Sequence, residues 1–268
     1  MSDPDYVSRL DTSVAHPARR YDYWLGGKDN FEADRTSGDL VAQAFPYVRT
    51  SAIQGRRYLV RAVRRLAGEL GIRQFLDVGT GLPTANNTHQ VAQSIAPECR
   101  VVYVDNDPLV LVHARALLTS GPYGATAYID ADLRSPQDIL SDPQLTETLD
   151  LTKPVGLLII QVLHFIKDDD NPYGHVAALV RAMPSGSYLA MSHVTSDFMS
   201  PEAVTDIASG RFGPFYPRSR EEFARFFDGL ELLPPGVVPV VDWHPDPDDE
   251  SRPSAAEAPS YGAVARIP

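Results

Sequence analysis

The chain has 268 residues, of which 43% are hydrophobic, 9% aromatic and 22% charged. This apolar content is enough for a buried core and excludes wholesale disorder, and the length fits one large α/β domain or a domain with a cap. The formal net charge of −11 argues against nucleic acid as a partner. The single cysteine, Cys99, excludes an intrachain disulfide and a zinc cluster of cysteines, and we expect no metal site.

The sequence favours a soluble protein. Residues 1–5 are polar and acidic, unlike a signal peptide. The most apolar run, 154–166, is too short to span a bilayer and contains Gln161 and His164. We therefore expect a cytoplasmic protein without a membrane partner.

Residues 1–74 are predicted to form an N-terminal helical cap segment. Within it, residues 50–70 have apolar side chains at helical spacing, and Gly71 follows as a stop. The segment 21–31 is rich in aromatic residues and glycine, which is unusual for a solvated tail. We hypothesise that this segment folds over a ligand, the alternative being a plug packed against the sheet.

From residue 75 onward, short apolar runs alternate with stretches that can be helical. The apolar runs are 75–78, 101–104, 127–129, 155–162 and 187–192, and the helical stretches are 84–95, 108–119, 135–141 and 172–183. Apolar strands without polar alternation are typical of a parallel sheet that is covered on both faces. The pattern predicts a doubly wound, Rossmann-like α/β sheet in a domain spanning 75–268.

The end of the chain departs from this alternation. Residues 196–228 are predicted to be a helical insertion, in which Ser219 and Glu222 fit a capping box. The runs 237–241 and 261–267 read as two last strands, which pair antiparallel because no helix joins them. We therefore predict a seven-stranded sheet with an antiparallel last strand, and an exposed, mobile link over 242–260.

Glycines and acids follow the first three predicted strands, where an open parallel sheet binds its ligand. Gly79 and Gly81 follow Asp77 and permit a sharp turn close to a ligand. Asp105 ends the second strand and can accept both hydroxyls of a ribose. Asp132 follows the third strand and can accept the amino group of an adenine.

Pro83 stands where a third glycine would admit a pyrophosphate, so we expect an adenosyl ligand without phosphates. S-adenosylmethionine is such a ligand, and its cationic sulfonium suits the surrounding carboxylates. The predicted cofactor-binding residues are Tyr21, Asp77, Gly79, Thr80, Gly81, Asp105, Asn106, Asp107, Asp132, Leu133 and Gln161. Of these, Asp107 can equally be the cap of the helix that begins at Pro108.

The sequence also resembles a known family. The resemblance lies in residues 16–19 (HPAR), 21–30 (YDYWLGGKDN), 74–84 (QFLDVGTGLPT), 104–108 (VDNDP) and 130–134 (DADLR), and it extends through His193 to the last strands. These motifs resemble the bacterial S-adenosyl methyltransferase family, long labelled a domain of unknown function, within the class I S-adenosylmethionine-dependent methyltransferases. The resemblance implies the fold, the cofactor and the reaction class, but no substrate.

We expect the methyl acceptor to be a small molecule. His164 and His193 follow the fourth and fifth strands, and either is a candidate general base if the acceptor is a hydroxyl. If the acceptor is already nucleophilic, alignment of the reactants suffices. Phe212, Phe215 and Tyr216 are candidate walls of the acceptor pocket.

Two other functions stay open. The first is a catalytically silent S-adenosylmethionine-binding regulatory protein, and the second is an NAD-dependent oxidoreductase. The sequence also leaves the oligomeric state open, a homodimer included.

Overall fold

The computed structural model describes residues 10–117, 120–246 and 251–268. For residues 114–117 it describes the backbone only. The last two residues of the helix predicted over 108–119, and residues 247–250 of the link predicted over 242–260, therefore lie outside the described residues. Among the described residues, no helix combines the length and the apolar character needed to cross a bilayer.

Each stretch predicted as helical between residues 50 and 183 contains a helix in the described residues, and three further helices were not predicted individually: Pro17–Trp24, Glu32–Ala44 and Pro143–Thr148. The helices of the described chain are α1 (Pro17–Trp24), α2 (Glu32–Ala44), α3 (Val48–Gly68), α4 (Thr88–Ile95), α5 (Pro108–Leu117), α6 (Pro136–Ser141), α7 (Pro143–Thr148), α8 (Pro172–Ala182), α9 (Pro201–Ala208) and α10 (Arg220–Ala224). Short 3-10 turns cover Leu163–Phe165, Asp168–Asp170 and Arg225–Phe227. The predicted capping box is confirmed, since the Ser219 N–H donates to Glu222 Oε2 at 2.7 Å and Ser219 Oγ accepts from the Glu222 N–H at 3.2 Å.

One mixed sheet runs through the molecule. Its strands are β1 (Gln74–Val78), β2 (Arg100–Asp105), β3 (Ala125–Asp130), β4 (Gly156–Ile160), β5 (Tyr188–Val194), β6 (Glu231–Leu232), β7 (Val238–Pro239) and β8 (Ser260–Arg266). The strand order is β3-β2-β1-β4-β5-β8-β6, and β7 pairs with β8 beside β6. Strands β1 to β5 are parallel and β8 is antiparallel to β5, so the predicted fold class is confirmed.

The sheet differs from the prediction in its next-to-last strand. A single strand was expected over 237–241, whereas two pieces of 2 residues each, β6 and β7, pair with β8. The reason is local chemistry: Pro234, Pro235 and Pro239 have no N–H to donate to a ladder. The sheet therefore has eight strands instead of the predicted seven, because the next-to-last strand is interrupted and counts as β6 and β7.

The core has a layer on each face of the sheet. Alternate strand residues enter opposite layers: Leu76 packs with α6, α7 and α8, and Phe75 packs with α3 and α4. Because Leu59, Val63 and Leu66 of α3 are buried in the second layer, α3 belongs to the body of the α/β domain. Only α1 and α2 of the predicted cap segment remain outside these two layers.

The link over 242–260 is not wholly exposed in its described part. Trp243 is fully buried, and its ring meets Tyr58 of α3 edge-on with centroids 5.1 Å apart. The Tyr58 hydroxyl donates to Ala263 O of β8 at 2.8 Å. Trp243 therefore packs into the core on the face of the sheet that α3 covers. The acidic and proline-rich composition of 242–260 had predicted a solvated loop.

Candidate functional site

A cavity of about 670 Å³ lies at the carboxyl ends of the parallel strands. One end is lined by the turns that follow β1 to β4, and the other by α1, α2, α3, α9 and the segment that follows α9. Its volume is in the range of small-molecule sites, roughly 300–1,000 Å³. The strand ends and the N-terminal helices thus enclose one continuous space.

The turn after β1 depends on its glycines. Gly79 and Gly81 have φ of +74° and +68°, a region that side chains rarely allow. A Cβ on Gly79 would lie 2.6 Å from Cγ2 of Val162. The turn therefore packs so closely against the end of β4 that only glycine fits at position 79. The Gly79 N–H donates to Val104 O at 2.8 Å, which holds the turn against β2.

Asp105 is buried at the end of β2, as predicted, and it still has acceptor capacity. Its Oδ2 accepts from the Gly81 N–H at 2.8 Å, and its Oδ1 accepts from the Asp107 N–H at 3.0 Å. A carboxylate has about four acceptor positions. Asp105 therefore retains one on each oxygen, which is what two hydroxyls of a ribose require. Burial raises its pKa, against the effect of these hydrogen bonds.

Asp132 lines the same cavity, but its acceptor positions are taken. Oδ1 accepts from Arg134 N at 2.8 Å and Nε at 3.0 Å, while Oδ2 accepts from Asn106 Nδ2 at 2.8 Å and Arg134 Nη2 at 2.6 Å. Burial alone would raise the pKa of Asp132, but these partners lower it to about 2. The predicted contact of Asp132 with adenine would require Arg134 to move. Leu133, which is buried beside it, offers an apolar face to the cavity.

Asp77 and Thr80 complete the β1 side of the site. Both residues line the cavity, and the buried Asp77 accepts a hydrogen bond at Oδ2 from Thr88 Oγ1 at 2.6 Å. Burial raises the pKa of Asp77, opposed by that hydrogen bond. Asp77 is therefore fixed by the first residue of α4.

The structure does not place Asp107 in the cavity lining. Its Oδ1 accepts from the Leu109 N–H at 2.9 Å and caps α5. Its Oδ2 lies 2.9 Å from His16 Nδ1 and 3.3 Å from Arg19 Nε. Of the two readings of this residue, the geometry supports the cap, and it adds a tether between the N-terminal segment and the residues beside Asp105.

Tyr21 and Gln161 meet at the middle of the cavity. The Tyr21 hydroxyl donates to Ala52 O of α3 at 2.8 Å, and burial raises its pKa to about 12. A Cβ on Gly55 would lie 3.0 Å from Gln161 Cγ and 3.2 Å from the Tyr21 hydroxyl, so both side chains pack onto that glycine. Gln161 itself has φ of +58°, a strained conformation that is concentrated at functional sites.

Tyr21 and Trp24 of the 21–31 segment line the cavity, and the buried Asp22 organises this segment. Asp22 Oδ2 accepts from the Asp29 N–H at 3.0 Å and from Asn30 Nδ2 at 2.8 Å. A Cβ on Gly27 would overlap the Asp22 carboxylate, which explains the glycine there. Burial raises the pKa of Asp22, opposed by these two hydrogen bonds.

The two predicted catalytic histidines have different positions. His164 is buried, lines the cavity and has an Nδ1 without a hydrogen-bond partner. His193 does not line the cavity: its Nδ1 contacts Val194 O at 2.7 Å and its Nε2 contacts Arg218 Nη1 at 2.7 Å. These partners imply a neutral ring that donates through Nδ1 and accepts at Nε2. His193 therefore packs edge-on against His164, outside the cavity lining, with the two ring centroids 5.6 Å apart.

Both rings stay neutral near pH 7. Burial lowers the pKa of His193 to about 3, with the Arg218 charge as a further cause. Burial also lowers the pKa of His164 well below its ordinary value, with His193, Arg218 and Arg20 as further causes. A histidine with so low a pKa is a weak general base.

The sequence pattern missed most of the wall opposite the strand ends. Phe212 and Phe215 line it as predicted, whereas Tyr216 is 38% exposed and lies outside the lining. The side chains that were not anticipated are Arg20, Trp24, Val41, Phe45, Met199 and Ile207. The aromatic character of 21–31 signalled Trp24, but nothing local marks α2 or α9 as neighbours of the strand ends.

Comparison with known proteins decides the family. The family model described as S-adenosyl methyltransferase matches residues 4–268. The chain belongs to this family. Its cofactor is therefore S-adenosylmethionine, as the sequence predicted, and the nicotinamide-dependent alternative is not favoured. No curated protein sequence matches the chain.

Solved structures agree with this assignment. A DUF574 family protein from Streptomyces avermitilis MA-4680 is 48% identical, with a TM-score of 0.92 over 97% of this chain and 100% of that chain. A candidate methyltransferase from Thermobifida fusca YX is 41% identical, with a TM-score of 0.87 over 98% of this chain and 97% of that one. The Burkholderia thailandensis 1,6-didemethyltoxoflavin-N1-methyltransferase, at 15% identity and a TM-score of 0.50 over 96% and 93%, shares the fold.

The residues of this methyltransferase fit its cofactor. The unfilled acceptor positions of Asp105 suit the ribose hydroxyls, and a Cβ on Gly81 would meet no atom within 4 Å, so there is room beside this turn. The apolar face of Leu133 suits the adenine ring. Asp77, Tyr21 and Gln161 line the same cavity and carry polar groups that could bind the amino-acid end.

Proposed function

We propose that this methyltransferase methylates a small, largely apolar acceptor that binds in the cavity beside the cofactor. The observation that supports this proposal is the apolar wall opposite the strand ends. Trp24 and Phe45 line it from the N-terminal helices, and Ile207, Phe212 and Phe215 line it from α9 and the segment after it. A space closed by helices on the side away from the sheet suits a small molecule better than a protein or a nucleic acid strand.

The bound cofactor supplies an electrophilic methyl group on a sulfonium. The chain contributes binding and orientation: Asp105 holds the ribose, and Tyr21 and Gln161, fixed against Gly55, limit the position of the reacting end. The apolar side chains of the opposite wall exclude water. Holding two reactants in line can account for much of the acceleration of a displacement reaction.

A general base is not part of this proposal. The low pKa of His164 keeps its ring neutral, so it serves as a hydrogen-bonding wall of the acceptor pocket. His193 is removed from the cavity by its contacts with Val194 and Arg218. The acceptor must then be nucleophilic as bound, as an amine or an already ionised oxygen would be.

Transfer of a radiolabelled methyl group from S-adenosylmethionine tests the proposal. The acceptors are a library of small aromatic acids, phenols and amines, with a protein mixture and total RNA as macromolecular acceptors. We expect label in small molecules and inhibition by S-adenosylhomocysteine. Transfer to the macromolecules alone would overturn the proposal. Binding of S-adenosylhomocysteine without any transfer would support the silent alternative.

A pair of variants on α9 locates the acceptor. Ile207 lines the cavity, whereas Val204 on the same helix is 37% exposed and lies outside the lining. We expect Ile207→Trp to raise the KM for the acceptor while the affinity for S-adenosylhomocysteine is unchanged. Val204→Trp is the matched control and should change neither. Equal effects of the two substitutions would contradict this placement.

A further inference from the structure

Arg20 is a buried cation in the wall of the cavity. It is only 7% exposed, and its Nη1 donates to Phe212 O at 3.0 Å and Ser37 Oγ at 3.3 Å. Its Nε is buried without a hydrogen-bond partner. No hydrogen bond joins its Nη2 to a described residue. Among the described residues, half of the donor fork of Arg20 is therefore unfilled and available to a ligand.

Among the described residues, the charge of Arg20 also has no ion-pair partner. Asp34 is the acid that acts on it electrostatically, but the Asp34 oxygens accept from the His16 and Phe31 N–H groups, and Arg19 lies 3.8 Å away. Burial lowers the pKa of Arg20, yet a guanidinium remains charged in proteins. A buried cation without a partner is costly, so an anionic ligand is the expected compensation.

The acids that line the cavity lie elsewhere. In the described lining, the carboxylates are Asp77, Asp105 and Asp132, all at strand ends. Arg20 of α1 and His164, in the turn after β4, line the same cavity, and the Arg20 charge is one cause of the low pKa of His164. The buried His164 Nδ1 also has no hydrogen-bond partner among the described residues. Aromatic rings lie beside His164, with the ring centroids of Phe165 and Phe215 4.3 and 5.0 Å from that of His164.

We propose that Arg20 binds an acidic oxygen group of the methyl acceptor, and that the acceptor is therefore a planar aromatic acid. This inference rests on the proposed function, whose acceptor class it specifies. The acidic group is a carboxylate or an ionised phenol, which share the chemistry that a guanidinium recognises. The Trp24, Phe165, Phe212 and Phe215 side chains line the same cavity and suit the ring that bears this group.

Calorimetric binding to the wild-type protein saturated with S-adenosylhomocysteine tests the proposal. The ligands are 2-naphthoate, its neutral amide, and 4-nitrophenol at pH 8, where it is ionised. We expect at least one anion to bind about tenfold or more tightly than the amide, since hydrogen bonds to charged groups are the stronger ones. Tighter binding of naphthoate identifies a carboxylate, and tighter binding of nitrophenolate identifies a phenol.

Variants assign the preference to Arg20. Arg20→Met should remove the preference for anions, Arg20→Lys should retain part of it, and Arg64→Met, at an exposed position of α3, should leave it intact. If Arg20→Met does not fold, the preference of the wild-type protein for anions and its partial loss in Arg20→Lys still test the inference. If S-adenosylhomocysteine binds but neither naphthoate nor nitrophenolate binds more tightly than the amide, this inference is overturned. Failure to bind S-adenosylhomocysteine would instead count against the proposed function.

Discussion

Asp105 Oδ2 accepts a hydrogen bond from the backbone N–H of Gly81 at 2.8 Å, so the acid at the end of β2 fixes the glycine turn at the end of β1. Its other oxygen accepts from the Asp107 N–H at 3.0 Å. The residue that would bind the ribose thus also shapes the loop beside it. Asp132, in contrast, has its acceptor positions filled by Asn106 and Arg134.

Asp105→Asn should weaken cofactor binding. An amide directs its NH₂ at one of the two backbone donors, so the substitution removes an acceptor and the charge together. Hydrogen bonds to charged groups contribute roughly 1.5–3 kcal/mol, and we expect the Kd for S-adenosylhomocysteine to rise about tenfold or more by calorimetry. Asp138→Asn, at an exposed acid of α6, is the control. An unchanged Kd for Asp105→Asn would contradict the ribose assignment.

Gly79→Ala should destabilise the turn after β1. The new Cβ would lie 2.6 Å from Val162 Cγ2 on a residue with φ of +74°. Strain at such positions costs about 1–3 kcal/mol, which urea unfolding should detect. Gly121→Ala is the control, because the nearest atom to its Cβ is 3.6 Å away and its φ is not positive.

A second substitution separates the two causes of this strain. Val162→Ala in the Gly79→Ala chain removes the methyl contacts at 2.6 and 3.0 Å and leaves the Cβ contact at 2.8 Å. We therefore expect partial recovery of the free energy of unfolding. Full recovery would show that the backbone conformation of Gly79 adds no cost of its own.

The sequence predicted the helices and strands that are marked by residues within or next to them. The boundaries of β1 and β2 follow from apolar runs that end in Asp-x-Gly and Asp, and the ends of α8 follow from Pro172 and a helical apolar period. The α1 helix gave no such signal. Its buried residues are Arg19, Arg20 and Asp22, so the rule that apolar residues face the interior fails there.

The missed parts of the site depend on distant contacts. Asp107 meets His16 and Arg19 only after the chain has folded, so the sequence alone left its role as cap or ligand open. The position of His193 likewise depends on Arg218, which enters from the segment before α10 and takes up its Nε2. Spacing along the chain placed both histidines near the strand ends, but it could not tell which one reaches the cavity.

The buried histidines should make the fold sensitive to acid. The folded pKa of His193 is about 3 and that of His164 is also depressed, whereas unfolded histidine titrates near pH 6.5. The unfolded state therefore binds more protons between these values, and the free energy of unfolding falls as the pH decreases from about 6.5. Each histidine contributes up to about 1.4 kcal/mol per pH unit in that range.

Urea unfolding of His193→Gln between pH 7 and 5 measures this contribution. The amide can keep a hydrogen bond to Arg218 but does not titrate, so we expect a shallower loss of stability with acid than in the wild type. Parallel slopes for His193→Gln and the wild type would show that His193 does not carry the effect.

Asp107→Asn should release the N-terminal segment without disturbing α5. Asn is as good a helix cap as Asp, so its side-chain oxygen can still accept from the Leu109 N–H. The loss of charge removes the ion pair with Arg19 at 3.3 Å and the carboxylate contact with His16 Nδ1 at 2.9 Å. We expect faster amide hydrogen exchange in α1 and unchanged exchange in α5, measured by mass spectrometry of peptides.

Comparison with Asp107→Ala separates the tether from the cap. Alanine offers no acceptor, so it should accelerate exchange in both α1 and α5, with a cap loss of about 1 kcal/mol at the start of α5. Unchanged exchange of α1 in both variants would mean that contacts other than Asp107, such as Tyr21 with Ala52 O, hold the segment over the cavity. Asp107 is hydrogen-bonded through its N–H to Asp105, the proposed ribose ligand. We therefore expect bound S-adenosylhomocysteine to slow amide hydrogen exchange in α1.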